Sequence, residues 1–238
     1  MELHSQTPPA LFPAGVADGD TVVYGPDIAD EGSLRLLGSV EGRRILELGV
    51  GSGRNSVALA RQGAKVIAVD PDPDRLESAR ALAERHDVKV EFHQGDLADI
   101  AFVRADTVDA VLTVHALATV DDPDRVFRQV HRVLRTEAPM VMSVPHPAWD
   151  LIAPDSDDPM RVARSWFDAS PRVTSGPDPI TYPTTFGGVF GGLYRAGFRV
   201  EVVLEPEPES SGPRSRWWHD AMRMIPATLV LRVRKVGL

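Results

Sequence analysis

Two carboxylates and three glycines, in ILELGVGSGRNSVALA (45–60) and the run after it, carry the clearest chemistry in this chain. Glu47 stands near the end of one apolar run. Gly49, Gly51 and Gly53 follow at alternate positions, and Asp70 closes the next apolar run, KVIAVD. Glycines so spaced suit a backbone that turns sharply or lies against a ligand with no Cβ in the way. A helix opened by them presents free N–H groups. A carboxylate where Asp70 stands can accept hydrogen bonds from both hydroxyls of a ribose. A nicotinamide dinucleotide is a poor match. Its G-x-G-x-x-G/A pattern would need glycine or alanine where Arg54 stands, counting from Gly49, or where Ser56 stands, counting from Gly51. Glu47 would also repel a pyrophosphate, whereas it suits an ammonium group. A ligand with an amino-acid tail, a ribose and adenine meets both demands. The competing reading is a tight strand-to-helix turn that holds no ligand.

The elements that must position these groups alternate. RRILEL (43–48), KVIAVD (65–70), VKVEFH (88–93), TVDAVLTV (107–114) and PMVMSV (139–144) read as buried strands. Helices are expected over Ser52–Gln62, Asp74–His86 and Asp121–Arg135. Asp72-Pro73 and Asp122-Pro123 each supply an N-cap carboxylate followed by proline at the first helical position. Strand–helix alternation of this kind implies parallel strands joined by right-handed crossovers. Residues 145–183 break the rhythm with proline and aspartate and carry His146, Trp149, Trp166 and Tyr182. So long a stretch without periodicity is a functional lid or a linker. A helix near Thr185–Ala196 follows, its pattern weakened by four glycines. FRVEVVL (198–204) and ATLVLRVR (227–234) then alternate as half-exposed antiparallel strands do.

These residues resemble the class I S-adenosylmethionine-dependent methyltransferases, in the ubiquinone/menaquinone-type branch. Glu47 to Gly53 matches that family's E/D-x-G-x-G-x-G motif, Asp70 its acidic residue after the second strand, and GDL (95–97) its segment after the third. VDAVLTVHALATVDDPDRVFRQVHRVL (108–134), AGFRVEVVLEPEP (196–208) and PATLVLRVRK (226–235) extend the likeness, which spans about residues 24–235. Val50 stands where the family often has cysteine or alanine. The resemblance implies a doubly wound, Rossmann-like seven-stranded α/β sheet of order 3-2-1-4-5-7-6, mostly parallel with an antiparallel last strand. It implies a single domain over 1–238, with a lid or substrate insert around 145–185 and an N-terminal segment, 1–30, near the cofactor. The cofactor implied is S-adenosyl-L-methionine, leaving as S-adenosyl-L-homocysteine. Tyr24, Glu47, Gly49, Gly51, Gly53, Asp70, Pro71, Asp96, Leu97 and Thr113 are its expected contacts. Asp96 would take the adenine amino group and Leu97 would pack on the ring.

On the acceptor side, His115 follows the fourth strand and is the candidate general base, since an unperturbed imidazole titrates near neutrality. The alternative is a histidine packed behind the cofactor. His146, Trp149 and Tyr182 are candidate acceptor contacts, with a structural role for His146 and simple packing for Tyr24 as the competing readings. Trp217 and Trp218 read as packing or interface residues.

The whole chain sets the remaining bounds. At 238 residues it can bury one full α/β core. A net charge of −8 argues against a general nucleic-acid binder, which needs cations near phosphates. No N/D-P-P-Y/F motif follows the fourth strand. Cysteine is absent, so there is neither a disulfide nor a thiolate metal site. No compact carboxylate cluster suggests a metal. No secretory signal and no bilayer-length apolar run is visible. The expectation is a cytoplasmic monomer or homodimer acting on a small-molecule methyl acceptor, with neither nucleic acid nor membrane as partner. The alternatives are a cofactor-binding protein without transfer, or one that catalyses a different reaction.

Overall fold

The computed structural model describes residues 20–154, 156–173, 180–209, 214–215 and 217–237. Residues 1–19 of the N-terminal segment, 155 and 174–179 of the insert, and 210–213, 216 and 238 lie outside it.

Seven strands form one sheet: β1 (Arg44–Leu48), β2 (Lys65–Asp70), β3 (Val90–Gln94), β4 (Ala110–Val114), β5 (Pro139–Pro145), β6 (Phe198–Leu204) and β7 (Thr228–Lys235). Their order is β3-β2-β1-β4-β5-β7-β6, as the resemblance implied. The first five are parallel, and β7 runs antiparallel to both β5 and β6. Five α-helices accompany them among the described residues: α1 (Glu31–Leu34), α2 (Arg54–Arg61), α3 (Pro73–Arg85), α4 (Pro123–Val133) and α5 (Phe186–Arg195). Alternate strand residues face two apolar layers. Leu46, Leu48, Val69, Val111 and Met142 pack with α4 and α5, while Ile45, Ala68, Leu112 and Val141 pack with α2 and α3. Both faces are covered, which is why the parallel strands read as unbroken apolar runs.

Local chemistry sets the helix ends. The Asp72 carboxylate accepts from the backbone N–H groups of Asp74 and Arg75, and that of Asp122 accepts from Arg125 N–H, with Pro73 and Pro123 opening their helices. On α4 the side chains of Val126, Phe127, Val130 and Val133 are buried, as their spacing dictates. In α5, a Cβ on Gly192 would strike Asp124 and Phe127. That glycine, which weakens the helical pattern, is what lets α5 close on α4.

Four boundaries differ from the sequence reading. α2 starts at Arg54, because Gly53 is left-handed, with φ +81°. β3 starts only at Val90, after Asp87 takes φ +50°. β4 loses residues 107–109: Thr107 and Val108 donate their N–H groups to Val133 O at the end of α4, and the Asp109 carboxylate accepts from Arg44 N–H at 2.8 Å. α4 ends at Val133, because Leu134 turns to extended backbone. The expectation of two half-exposed final strands is corrected for β7. It lies between β5 and β6, so only its Arg232 and Arg234 side chains reach outward, where both pair with Glu201 of β6. Half-burial belongs to the edge strand β6.

Candidate functional site

Where the strand order turns from β1 to β4, the C-terminal ends of the strands open a crevice, the usual ligand position in such sheets. The bend 49–53 sits there. Its three glycines are not equivalent. All have positive φ, at +83°, +55° and +81°. A Cβ on Gly49 would collide with Ala116, and one on Gly53 would come within 2.6 Å of Ala79 on α3. These two are glycines because the bend packs tightly against its own protein. Gly51 faces open space, with nothing within 4 Å of its absent Cβ. Of the three, it is the glycine with free space beside its bare backbone.

Glu47 and Asp70 share the sheet face covered by α2, since Glu47 pairs in register with Ala68, two residues before Asp70. Both are buried. The Ser56 hydroxyl donates to Glu47 Oε2. Burial pushes the Glu47 carboxyl up to about 8; the Ser56 hydrogen bond opposes this and the charge of Asp70 adds to it. Burial thus favours the protonated form of Glu47. Asp70 accepts from Val50 N–H at 2.8 Å and Asp72 N–H at 2.9 Å, one on each oxygen. Each oxygen keeps a second acceptor site. The side chain is closed to solvent.

The other end is open. A cleft of about 500 Å³ is lined by Pro71, Asp96, Leu97, Thr119, Val120 and Tyr182, among others. Asp96 is exposed, and one of its oxygens accepts from Ala98 N–H at 2.8 Å. Leu97 is mostly core and shows the cleft only an edge. Tyr182, expected toward the acceptor, lies instead in the cleft that holds Pro71 and Asp96. Its N–H donates to Ala118 O at 2.7 Å, which draws the insert to this end.

Four further residues sit where their expected roles are hard to fill. Tyr24 is wholly buried in the layer on the α2 face and donates its hydroxyl to Glu31, so packing, not cofactor contact, explains it. Burial, with the hydrogen bond to Glu31, pushes that phenol far upward. Thr113 is wholly buried on the sheet face opposite Glu47, and its hydroxyl has no hydrogen-bond partner among the described residues. His146 uses both ring nitrogens: Nδ1 accepts from Ala148 N–H at 3.1 Å, and Nε2 meets Glu205 at 2.9 Å. It shapes the start of the insert and has no nitrogen left for an acceptor. His115 is partly buried, with φ +56° and its Nε2 3.2 Å from Thr228 Oγ1. Burial lowers it to about 4, so at neutral pH it is an uncharged and weak base. Trp149 lies beyond β5, edge-on to His219 at 6.5 Å.

Three contacts went unread in the sequence. Asn55 brackets Val23, accepting from its N–H at 2.9 Å and donating to its carbonyl at 3.0 Å, which ties the entering chain to α2. Ser56 is the Glu47 partner. Gly25 admits His115 and Thr228 against its backbone, 3.2 and 2.8 Å from where a Cβ would stand. Asn55 and Ser56 follow the glycine motif directly, but nothing in their spacing says that both are buried. Among the described residues no group of three His, Cys, Asp or Glu could hold a metal, and no helix is long and apolar enough to cross a membrane.

Residues 45–137 match the family of the methyltransferase domain. Ubiquinone biosynthesis O-methyltransferases of Xanthomonas oryzae pv. oryzae and Bordetella avium are 31% identical over 102 residues and 37% identical over 93, with shares of 43% and 39% of each chain. The chain thus spans about two fifths of the length of these curated relatives. The crystal structure of an S-adenosylmethionine dependent methyltransferase from Mesorhizobium loti superposes with a TM-score of 0.70 at 26% identity, covering 84% of this chain and 94% of that one. The resemblance read from the motifs therefore holds in sequence over 45–137 and in fold over most of the chain.

Proposed function

We propose, for a chain whose residues 45–137 are a methyltransferase domain, that it binds S-adenosylmethionine and transfers the methyl group to a small molecule, releasing S-adenosylhomocysteine. One observation carries this reading. Two buried carboxylates, Glu47 and Asp70, flank a bend whose Gly51 is bare toward the crevice, and a cleft with Pro71 and Asp96 continues from them. Ammonium, ribose and adenine would meet Glu47, Asp70 and Asp96 in that order.

The bound sulfonium supplies an electrophilic methyl group, so what remains for the chain is to align a nucleophile, exclude water and let a proton leave. Alignment can provide most of the acceleration. With the cofactor held by Glu47, Asp70 and Asp96, transfer would exchange the sulfur–methyl bond for an acceptor–methyl bond, and the acceptor's proton would pass to solvent. His115, with its imidazole lowered to about 4, is better suited to lining the site as a neutral ring than to taking a proton from a hydroxyl.

An aromatic cluster beside His146 would suit a flat, apolar substrate. Trp166, Phe186 and Phe190 lie beside one another beyond β5, with His146 edge-on to Phe186. The relatives' activity, O-methylation in ubiquinone biosynthesis, supports an oxygen nucleophile on such a substrate. The chain's net charge of −8 disfavours a nucleic acid. Incubation with methyl-labelled S-adenosylmethionine and a metabolite extract should place label in a low-molecular-weight product. Cofactor that binds but leaves every metabolite unlabelled would favour binding without transfer.

A further inference from the structure

Tyr182 belongs by sequence to the insert and by position to the adenine end of the crevice. It is held there from two sides. Its backbone N–H donates to Ala118 O in the turn after β4. The neighbouring Thr181 exchanges two backbone hydrogen bonds with Arg172, at 2.6 and 3.0 Å. The largely buried Arg172 guanidinium grips Asp150, in the turn after β5, at 2.8 Å, and Asp168 at 3.1 Å. Half-buried Tyr182 thus lines a cleft of about 500 Å³, with Pro71 and Leu97 among the other apolar groups that line it. Apolar walls with one aromatic face suit a planar heterocycle, because every base has a face to stack.

We infer that Tyr182 is the outer wall of the adenine slot, so that the insert helps to hold the cofactor and is not devoted to the acceptor alone. Arg172 is a positioning residue that keeps the wall in place through Thr181. The inference rests on the cofactor reading above and adds to it a contact from outside the matched domain.

Calorimetry of the full chain with S-adenosylhomocysteine and, separately, with adenosine tests it. Tyr182→Ala should weaken both ligands by the same factor, about tenfold, from the loss of one stacking face. Tyr182→Phe should bind both as the unaltered chain does. Equal affinities in Tyr182→Ala and the unaltered chain would overturn the inference. So would a loss for S-adenosylhomocysteine alone, since the side chain would then act away from the base, or a Phe variant as weak as the Ala variant. Failure of the unaltered chain to bind either ligand would remove the cofactor reading, and the slot with it.

Discussion

The two ends of the crevice are built on opposite plans. At the Glu47–Asp70 end everything is buried and already hydrogen-bonded, and the backbone is held by glycines that abut Ala116 and Ala79. At the Asp96–Tyr182 end the carboxylate is exposed, the cleft is open and one wall is borrowed from the insert. A closed end can be selective for charge, because a carboxyl in a low-dielectric site responds strongly to a partner. An open end can be assembled from surface loops and tolerates variation. The difference teaches that the two ends of one crevice can be built differently: buried carboxylates under a glycine bend at one, and an open cleft with a wall from the insert at the other.

Substitutions in the bend should break this contrast most severely. Gly49→Ala combines a left-handed φ with a collision against Ala116 and should cost roughly 2–5 kcal/mol of stability, read by denaturant unfolding. Gly51→Ala meets no neighbour and should cost only about 1–2 kcal/mol, yet weaken S-adenosylhomocysteine at least tenfold. Equal stability losses at the two positions would mean that the glycines are interchangeable turn residues.

Next in size is Asp70→Ala. Loss of a charged acceptor should weaken S-adenosylhomocysteine by about 1–3 kcal/mol in calorimetry. An unchanged affinity would show that the ribose does not sit there. Smaller effects come from titration. The folded state holds the Glu47 proton up to about 8, whereas an unfolded glutamate releases it near its ordinary 4.5. The unfolded state therefore binds fewer protons in that window, and this group lowers ligand-free stability as pH rises from 4.5 to 8. Glu47→Gln should gain melting temperature relative to the unaltered chain over the same interval; a pH-independent difference would contradict burial as the cause. For His115 the sign reverses. Its folded value of about 4 lies below the ordinary 6.5, so its contribution is present above 6.5 and lost as pH falls through 4. Its ring resonances should titrate near 4 in an NMR series, and a midpoint near 6.5 would restore the general-base reading.

The sheet was legible because each parallel strand is an apolar run and two helices announce themselves with Asp-Pro caps. The clamp was legible as residue types but not as a physical state. No spacing tells that Glu47 and Asp70 are closed over by Val50, Ser56 and the bend. Side-chain direction is where the sequence reading fell short. Tyr24 and Tyr182 are both tyrosines near the site, yet one turns into the core toward Glu31 while the other lines the cleft. His146 and His115 each follow a strand, but their nitrogens are committed by Ala148, Glu205 and Thr228, residues that only the fold brings near.

The clamp at the closed end is tested most directly by titrating S-adenosylhomocysteine and adenosine against the protein between pH 5.5 and 7. The buried Glu47 carboxyl must lose its proton to meet the ligand's ammonium, so S-adenosylhomocysteine should tighten by up to about tenfold per pH unit, while adenosine, which has no ammonium, stays flat. Glu47→Gln should abolish the slope. A pH-independent affinity for S-adenosylhomocysteine in the unaltered chain, or the same slope for adenosine, would contradict the assignment of Glu47 to the amino-acid end.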